Sequence, residues 1–179
     1  ETIRDLLSTD GTSNPGGLTI RSRKDEVYVE GLSERRVVLL ADFARLMDDA
    51  AASRATACNG VNETSSRSHL VVRARINTTA TLDARTTTTT GHLNLIDLAG
   101  SERLKATCAV GDRLKEAQHI NRSLSALGDV IAALGNGSRH VPYRNSKLTF
   151  LLQDALRSNA AAFMFVNIDP SPASAAESL

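Results

Sequence analysis

Residues 91–102 read GHLNLIDLAGSE. Leu93, Leu95 and Asp97 alternate with Asn94, Ile96 and Leu98, the period-two pattern of a strand, and Gly100 follows where the strand should end. An Asp at the carboxyl end of an apolar strand, with Gly three residues on, is an arrangement that nucleotide switches use. The carboxylate can hold a Mg²⁺ through a water, and a residue without Cβ lets its N–H approach a terminal phosphate and lets the loop swing when that phosphate leaves. Alone, Asp-x-x-Gly also fits any exit from a strand into a turn, so its neighbours decide.

Upstream, residues 62–70 read NETSSRSHL. Four hydroxyls, Arg67 and His69 crowd into positions 64–69 just before a β-branched run. Such groups can coordinate Mg²⁺, hold a water and supply a fixed cation. Glu102 could pair with Arg67. A pair between two loops closes only when both are drawn onto one ligand, so it would act as a latch, whereas either charge alone would be a solvated surface group of little energetic value.

The chain of 179 residues suits one domain. With 3% aromatic residues, Leu, Val, Ile and Ala must fill the core. A net charge of +1 singles out neither nucleic acid nor a membrane surface as partner. Cys58 and Cys108 match no metal-ligand spacing and read as free thiols. No apolar run approaches the ~18 residues of a membrane span. The chain opens at Glu1 without methionine and stops at Leu179 in helix-like sequence, so it reads as cut at both ends.

EVYVEGL (26–32) alternates as a short strand, and Phe43, Leu46, Met47 and Ala50 fall at helical spacing over 41–52. HLVVRARINT (69–78) reads as a strand, and the threonines 86–90 as a strand edge or hairpin end. Over 118–134, Ile120, Leu124, Leu127, Ile131 and Leu134 form one helical face, stopped by GNGS (135–138). A further helix is expected over 146–156, and a buried-type strand over 162–168, AFMFVNI. The order implies an α/β domain, a central mixed sheet flanked by helices, with no linker that divides the chain.

NETSSRSH and LIDLAGSE resemble the switch I (62–69) and switch II (97–102) motifs of the kinesin motor domain. INRSLSALGDVIAAL resembles that family's switch II helix (118–134), and HVPYRNSKLTFLLQDAL its microtubule-binding loop and helix (139–156). The resemblance implies a P-loop NTPase-like motor fold over 1–179, with ATP and Mg²⁺ as cofactors of the full-length protein and tubulin as partner, in the cytoplasm on the microtubule cytoskeleton. Carried over by position, it gives Ser66 the Mg²⁺-facing hydroxyl and Ser65 the attacking water. Arg67 and Glu102 become the latch, Asp97 the metal-side carboxylate acting through water, and Gly100 the phosphate-sensing amide.

The four lysines, Lys24, Lys105, Lys115 and Lys147, are none of them preceded by glycine, so no G-x-x-x-x-G-K-[ST] occurs. The resemblance therefore covers the second half of a motor, and this segment by itself is not expected to hydrolyse ATP. Three departures stand out: Asn59 where relatives usually carry threonine, Arg157 and Ser158 in place of two glycines, and Phe150 where many carry a polar residue.

Between Glu102 and Lys147 lie eight Lys/Arg against four acids, a local net of +4 that suits an acidic partner. The resemblance places the track contact here, on Arg144 and Lys147 with Tyr143 and His140, then Lys105, Arg113 and Lys115. Nucleic acid is disfavoured, because the patch lacks interleaved aromatics. A non-catalytic microtubule-binding or structural protein is the competing reading. A switch GTPase is disfavoured, since nothing resembles a guanine-specificity loop. Any dimer would form through regions outside this chain.

Overall fold

A computed structural model describes residues 1–8, 17–24, 26–56, 67–83, 85–101, 112–157 and 160–171. Two antiparallel ribbons carry its strands. The short one pairs β1 (Thr19–Arg23) with β2 (Glu26–Glu30), and the long one pairs β3 (Leu70–Leu82) with β4 (Arg85–Asp97). Lys24 and Asp83, at φ +53° and +49°, open the two connecting turns, as the twist of two-residue hairpins requires. The helices are α1 (Leu40–Thr56), α2 (Asp112–Gly135) and α3 (Lys147–Leu151), with a 3-10 turn over Tyr143–Asn145.

The long ribbon contains the threonine run. Thr86 to Thr90 face Thr81 to Asn77 at its far, exposed end, where Thr90 donates to Asn77 Oδ1 at 2.9 Å. β-branched side chains fit this pleated surface. The expected hairpin end is found, with both strands longer than the apolar pattern marks.

Val27 is fully buried on the outer edge of β2, and both its peptide groups bond to side chains from distant elements. Its N–H donates to Asp154 Oδ2 at 2.6 Å, and its carbonyl accepts from Arg73 at 2.7 Å. The same guanidinium donates to Asn94 Oδ1 across the long ribbon (2.9 Å) and to the Leu151 carbonyl of α3 (3.2 Å). Arg73 thus joins both ribbons and α3 with one planar fork.

That contact also accounts for a difference from expectation. The sequence suggests a helix over 146–156, yet α3 stops at Leu151 and gives way to turns. The Leu151 carbonyl is taken by Arg73, and Asp154 is drawn to Val27. Where the two glycines were expected, Arg157 instead lies 3.7 Å from Asp154. At the start of α3, Ser146 Oγ accepts from Thr149 N–H at 3.0 Å while Ser146 N–H donates to Thr149 Oγ1 at 3.2 Å, a reciprocal cap.

α2 starts six residues before the expected boundary and ends as GNGS suggests. Gly137 (φ +60°) donates to the Leu134 carbonyl, and Ser138 to that of Ala133. Its buried face is rotated from the expected one. Ser123, Ala126, Leu127 and Val130 are buried, whereas Ile131 is 40% exposed. Ser123 is a buried polar group on this face, its hydroxyl bonded to the Ile120 carbonyl and lying 2.8 Å from His69 Nε2. Leu148 and Leu152, at and just beyond α3, complete this core.

Residues 162–168, expected as a buried strand, form no regular structure, and Phe163 and Phe165 are 87% and 91% exposed. A strand exists only in a ladder, and among the described residues none pairs with this segment.

Arg73→Met keeps the stem and removes donors to two main-chain carbonyls. It should lower stability by about 3 kcal/mol in urea titration, as loss of charged donors from half-buried acceptors implies. A loss below about 0.5 kcal/mol would show that the ribbons and α3 hold together without it.

Candidate functional site

The register of the long ribbon builds the site. Leu70, the first residue of β3, faces Asp97, the last of β4. The chain therefore enters through Arg67–Ser68–His69 beside the point where it leaves through Leu98–Ala99–Gly100. The described parts of two motifs about thirty residues apart, 67–69 and 97–101, are set side by side by this strand pairing.

Arg54, in the last turn of α1, fastens them. Its Nε donates to Ser68 Oγ at 3.1 Å, one terminal nitrogen to the Ser68 carbonyl at 2.5 Å, and the other to Asp97 Oδ2 at 2.9 Å. The Arg54 side chain is only 14% exposed and that of Asp97 is 62% exposed. Asp97 thus bonds to the protein while remaining open to solvent. The sequence gives little signal for Arg54, which reads as a cation suiting a helix C-terminus.

His69 makes the second link. Its Nδ1 accepts from the Ala99 N–H at 3.0 Å, and its Nε2 lies 2.8 Å from Ser123 Oγ on α2. Burial, the largest influence, holds its pKa below the ordinary 6.5. Glu1 pulls it up, Arg54 pushes it down and Asp97 pulls it up. The folded state therefore favours the neutral ring.

Other expected residues are placed unevenly. Arg67 is half-buried at the entrance to β3. Ser65, Ser66, Glu102 and Lys105 lie outside the described residues, as does Asn59, and only the backbone of Arg113 is described. Arg113 and Lys115, expected in the loop after the second switch, lie within α2. Arg144, Lys147 and His140 are exposed and Lys115 is exposed on α2, whereas Tyr143 is half-buried and its carbonyl accepts from Thr149 Oγ1 at 2.8 Å.

The Arg144 guanidinium lies 5.2 Å from the centre of the Phe150 ring, so the unusual Phe150 steadies a cation of this surface. A cavity of about 280 Å³ opens among Glu1, His119, Arg122, Arg144, Lys147 and Phe150. Glu1 accepts from the Lys147 N–H at 2.6 Å. Charge counting did not single out Glu1 or His119, which reach this cavity only through the fold.

The kinesin motor domain family profile matches residues 1–179, and the chain belongs to that family. It is 46% identical to the kinesin-like protein KIN-14C of Arabidopsis thaliana, covering 100% of this chain and 24% of that protein. It is also 46% identical to KIN-14K of Oryza sativa subsp. japonica, again over 100% of this chain and 17% of the relative. Among solved structures, the motor domain of the Kar3-like kinesin from Ashbya gossypii superposes with a TM-score of 0.75 at 38% identity, over 99% of this chain and 52% of that one. The motor and motor homology domain of Kar3Vik1, fused to a synthetic heterodimeric coiled coil, superposes with a TM-score of 0.73 at 38% identity, over 89% and 41% of the two chains. The chain thus spans about half of a solved motor chain, and the α/β reading agrees with these neighbours.

Of the two expected Mg²⁺ donors, Ser66 lies outside the described residues and Asp97 is described. Asp97 offers an exposed carboxylate, and among the described residues no group of three or more His, Cys, Asp or Glu converges. Mg²⁺ commonly takes one or two carboxylates and leaves its remaining positions to water and phosphate.

Two outcomes follow. Arg54→Met should cost about 2 kcal/mol through the Ser68 contacts, whereas Asp97→Asn, which breaks only a solvent-exposed pair, should cost less than about 1 kcal/mol; equal losses in thermal melts would contradict this division. Because the His69 pKa is lowered on folding, its contribution is full above pH 6.5 and is lost as pH falls from 6.5 through the folded value. The melting temperature should drop over that window, and His69→Asn should flatten the drop; an unchanged slope would count against a half-buried neutral ring.

Proposed function

We propose that this chain is part of a microtubule motor that couples ATP hydrolysis to microtubule binding and movement. The observation that supports this most directly is the Leu70–Asp97 register, which sets residues 67–69 beside residues 97–101 in a chain matched throughout by the motor family. Bound ATP with Mg²⁺ supplies the phosphoryl group and the charge that neutralises it.

Within that reading, residues 62–69 and 97–102 act as the two switches. Asp97 and Ser66 face the metal, Asp97 through water. Ser65 orients the attacking water, and Gly100 senses the terminal phosphate. Arg67 and Glu102 close over the site. Residues 118–134 form the switch II helix, and 139–156 the loop and helix that meet the track. Arg144, Lys147, Tyr143 and His140, with Lys105, Arg113 and Lys115, face tubulin. The basic cavity and the supported Arg144 fit an acidic filament. Among the described residues no helix is long and apolar enough to cross a membrane. The protein would work in the cytoplasm on microtubules, and any dimer would form through segments outside this chain.

In the full-length protein, Glu102→Ala should abolish microtubule-stimulated phosphate release. Arg144→Ala with Lys147→Ala should weaken microtubule binding about tenfold or more and flatten its salt dependence. Undiminished stimulated release in the Glu102 variant would refute the latch.

A further inference from the structure

We propose that His69 is a positioning residue that links the Ala99–Gly100 backbone to α2 through a one-way hydrogen-bond relay ending beside the basic cavity. The proposal rests on the motor reading above and adds the path between its two ends.

Hydrogen bonding fixes the role of each atom. The Ala99 N–H can only donate, so Nδ1 of His69, 3.0 Å away, must present a lone pair. The ring proton of the neutral imidazole is then on Nε2, 2.8 Å from Ser123 Oγ. The Ser123 hydroxyl sends its own proton to the Ile120 carbonyl at 2.7 Å, which leaves a lone pair to receive Nε2–H. Donation runs in one direction, from Ala99 to His69 to Ser123 to Ile120, and one tautomer satisfies every member. The lowered pKa of His69 agrees with a neutral ring among Glu1, Arg54 and Asp97. Ser123 is 1% exposed and Ala99 is buried, so water cannot readily replace either contact.

The ends of the relay give it meaning. Ala99 precedes Gly100, the expected phosphate-sensing amide, and the donor held by His69 lies in the adjoining Leu98–Ala99 peptide, so the relay starts one peptide away from that amide. At the other end, Ser123 and Ile120 share one turn of α2 with His119 and Arg122, which line the basic cavity with Arg144 and Lys147. The structure provides a route across a single turn.

The test measures, in the full-length protein, microtubule affinity with ADP and with a non-hydrolysable ATP analogue, and takes the ratio. Ser123→Ala removes the acceptor at a helix-interior position that tolerates alanine. His69→Asn keeps an acceptor near Ala99 but is too short to reach Ser123. Each variant should reduce the ratio about fivefold or more while leaving ADP-state affinity near wild type, and the double variant should be no worse than either single one. A wild-type ratio in both variants, or additive losses in the double one, would overturn the relay alone. A wild-type protein with no nucleotide dependence would overturn the motor reading as well. Nitrogen-15 spectra of the imidazole give a readout independent of motility: protonated Nε2 with bare Nδ1 is expected, and the opposite tautomer would refute the relay.

Discussion

The structure depends on one guanidinium. Arg73 projects from β3 and bonds to Asn94 on β4, Val27 on β2 and Leu151 on α3. Without it, the long ribbon would be held at its Leu70–Asp97 end mainly by Arg54 and His69. An edge strand normally leaves N–H and C=O groups unpaired. Here the edge at Val27 is closed by Arg73 and Asp154, side chains separated from it by 46 and 127 residues. Long-range side-chain bonds therefore stand in for a further strand.

The site inherits its geometry from this scaffold. Once the ribbon is in register, the entrance to β3 and the exit of β4 must be neighbours; Arg54 of α1 spans the gap, and His69 bonds across it to Ala99 while Ser123 of α2 anchors its far nitrogen. Arg54 holds the pair from α1 through a carbonyl, a hydroxyl and a carboxylate. His69 reaches the other way to Ser123. Cation and neutral ring divide the work: Arg54 provides charge beside an exposed carboxylate, and His69 provides direction, since its two nitrogens cannot exchange roles without breaking a bond.

Much of this was legible in the sequence. The β2 alternation, the face of α1 from Phe43 to Ala50, both strands of the long ribbon and the glycine stop of α2 follow from periodicity and turn chemistry. The errors have physical causes. α2 buries Val130 rather than Ile131 because side-chain size predicts burial less well than the fit of small residues against neighbouring segments. α3 is short because Arg73 takes the Leu151 carbonyl, a contact between residues 78 positions apart that no local pattern encodes. Residues 162–168 show their apolarity but not a partner, since pairing depends on another strand. Arg54 escaped notice because it resembles a helix-end cation, and His69 stood out in the cluster at 64–69 but received no role, because its partners Ala99 and Ser123 lie 30 and 54 residues away.

The central claim is that the strand exit and α2 move as one unit. Hydrogen–deuterium exchange of the full-length protein, with ADP and with a non-hydrolysable ATP analogue, tests this most directly. Protection at the amides of Ala99 to Ser101 and at 120–127 of α2 should change together between the two nucleotide states. A change at the strand exit with α2 left untouched would contradict the account.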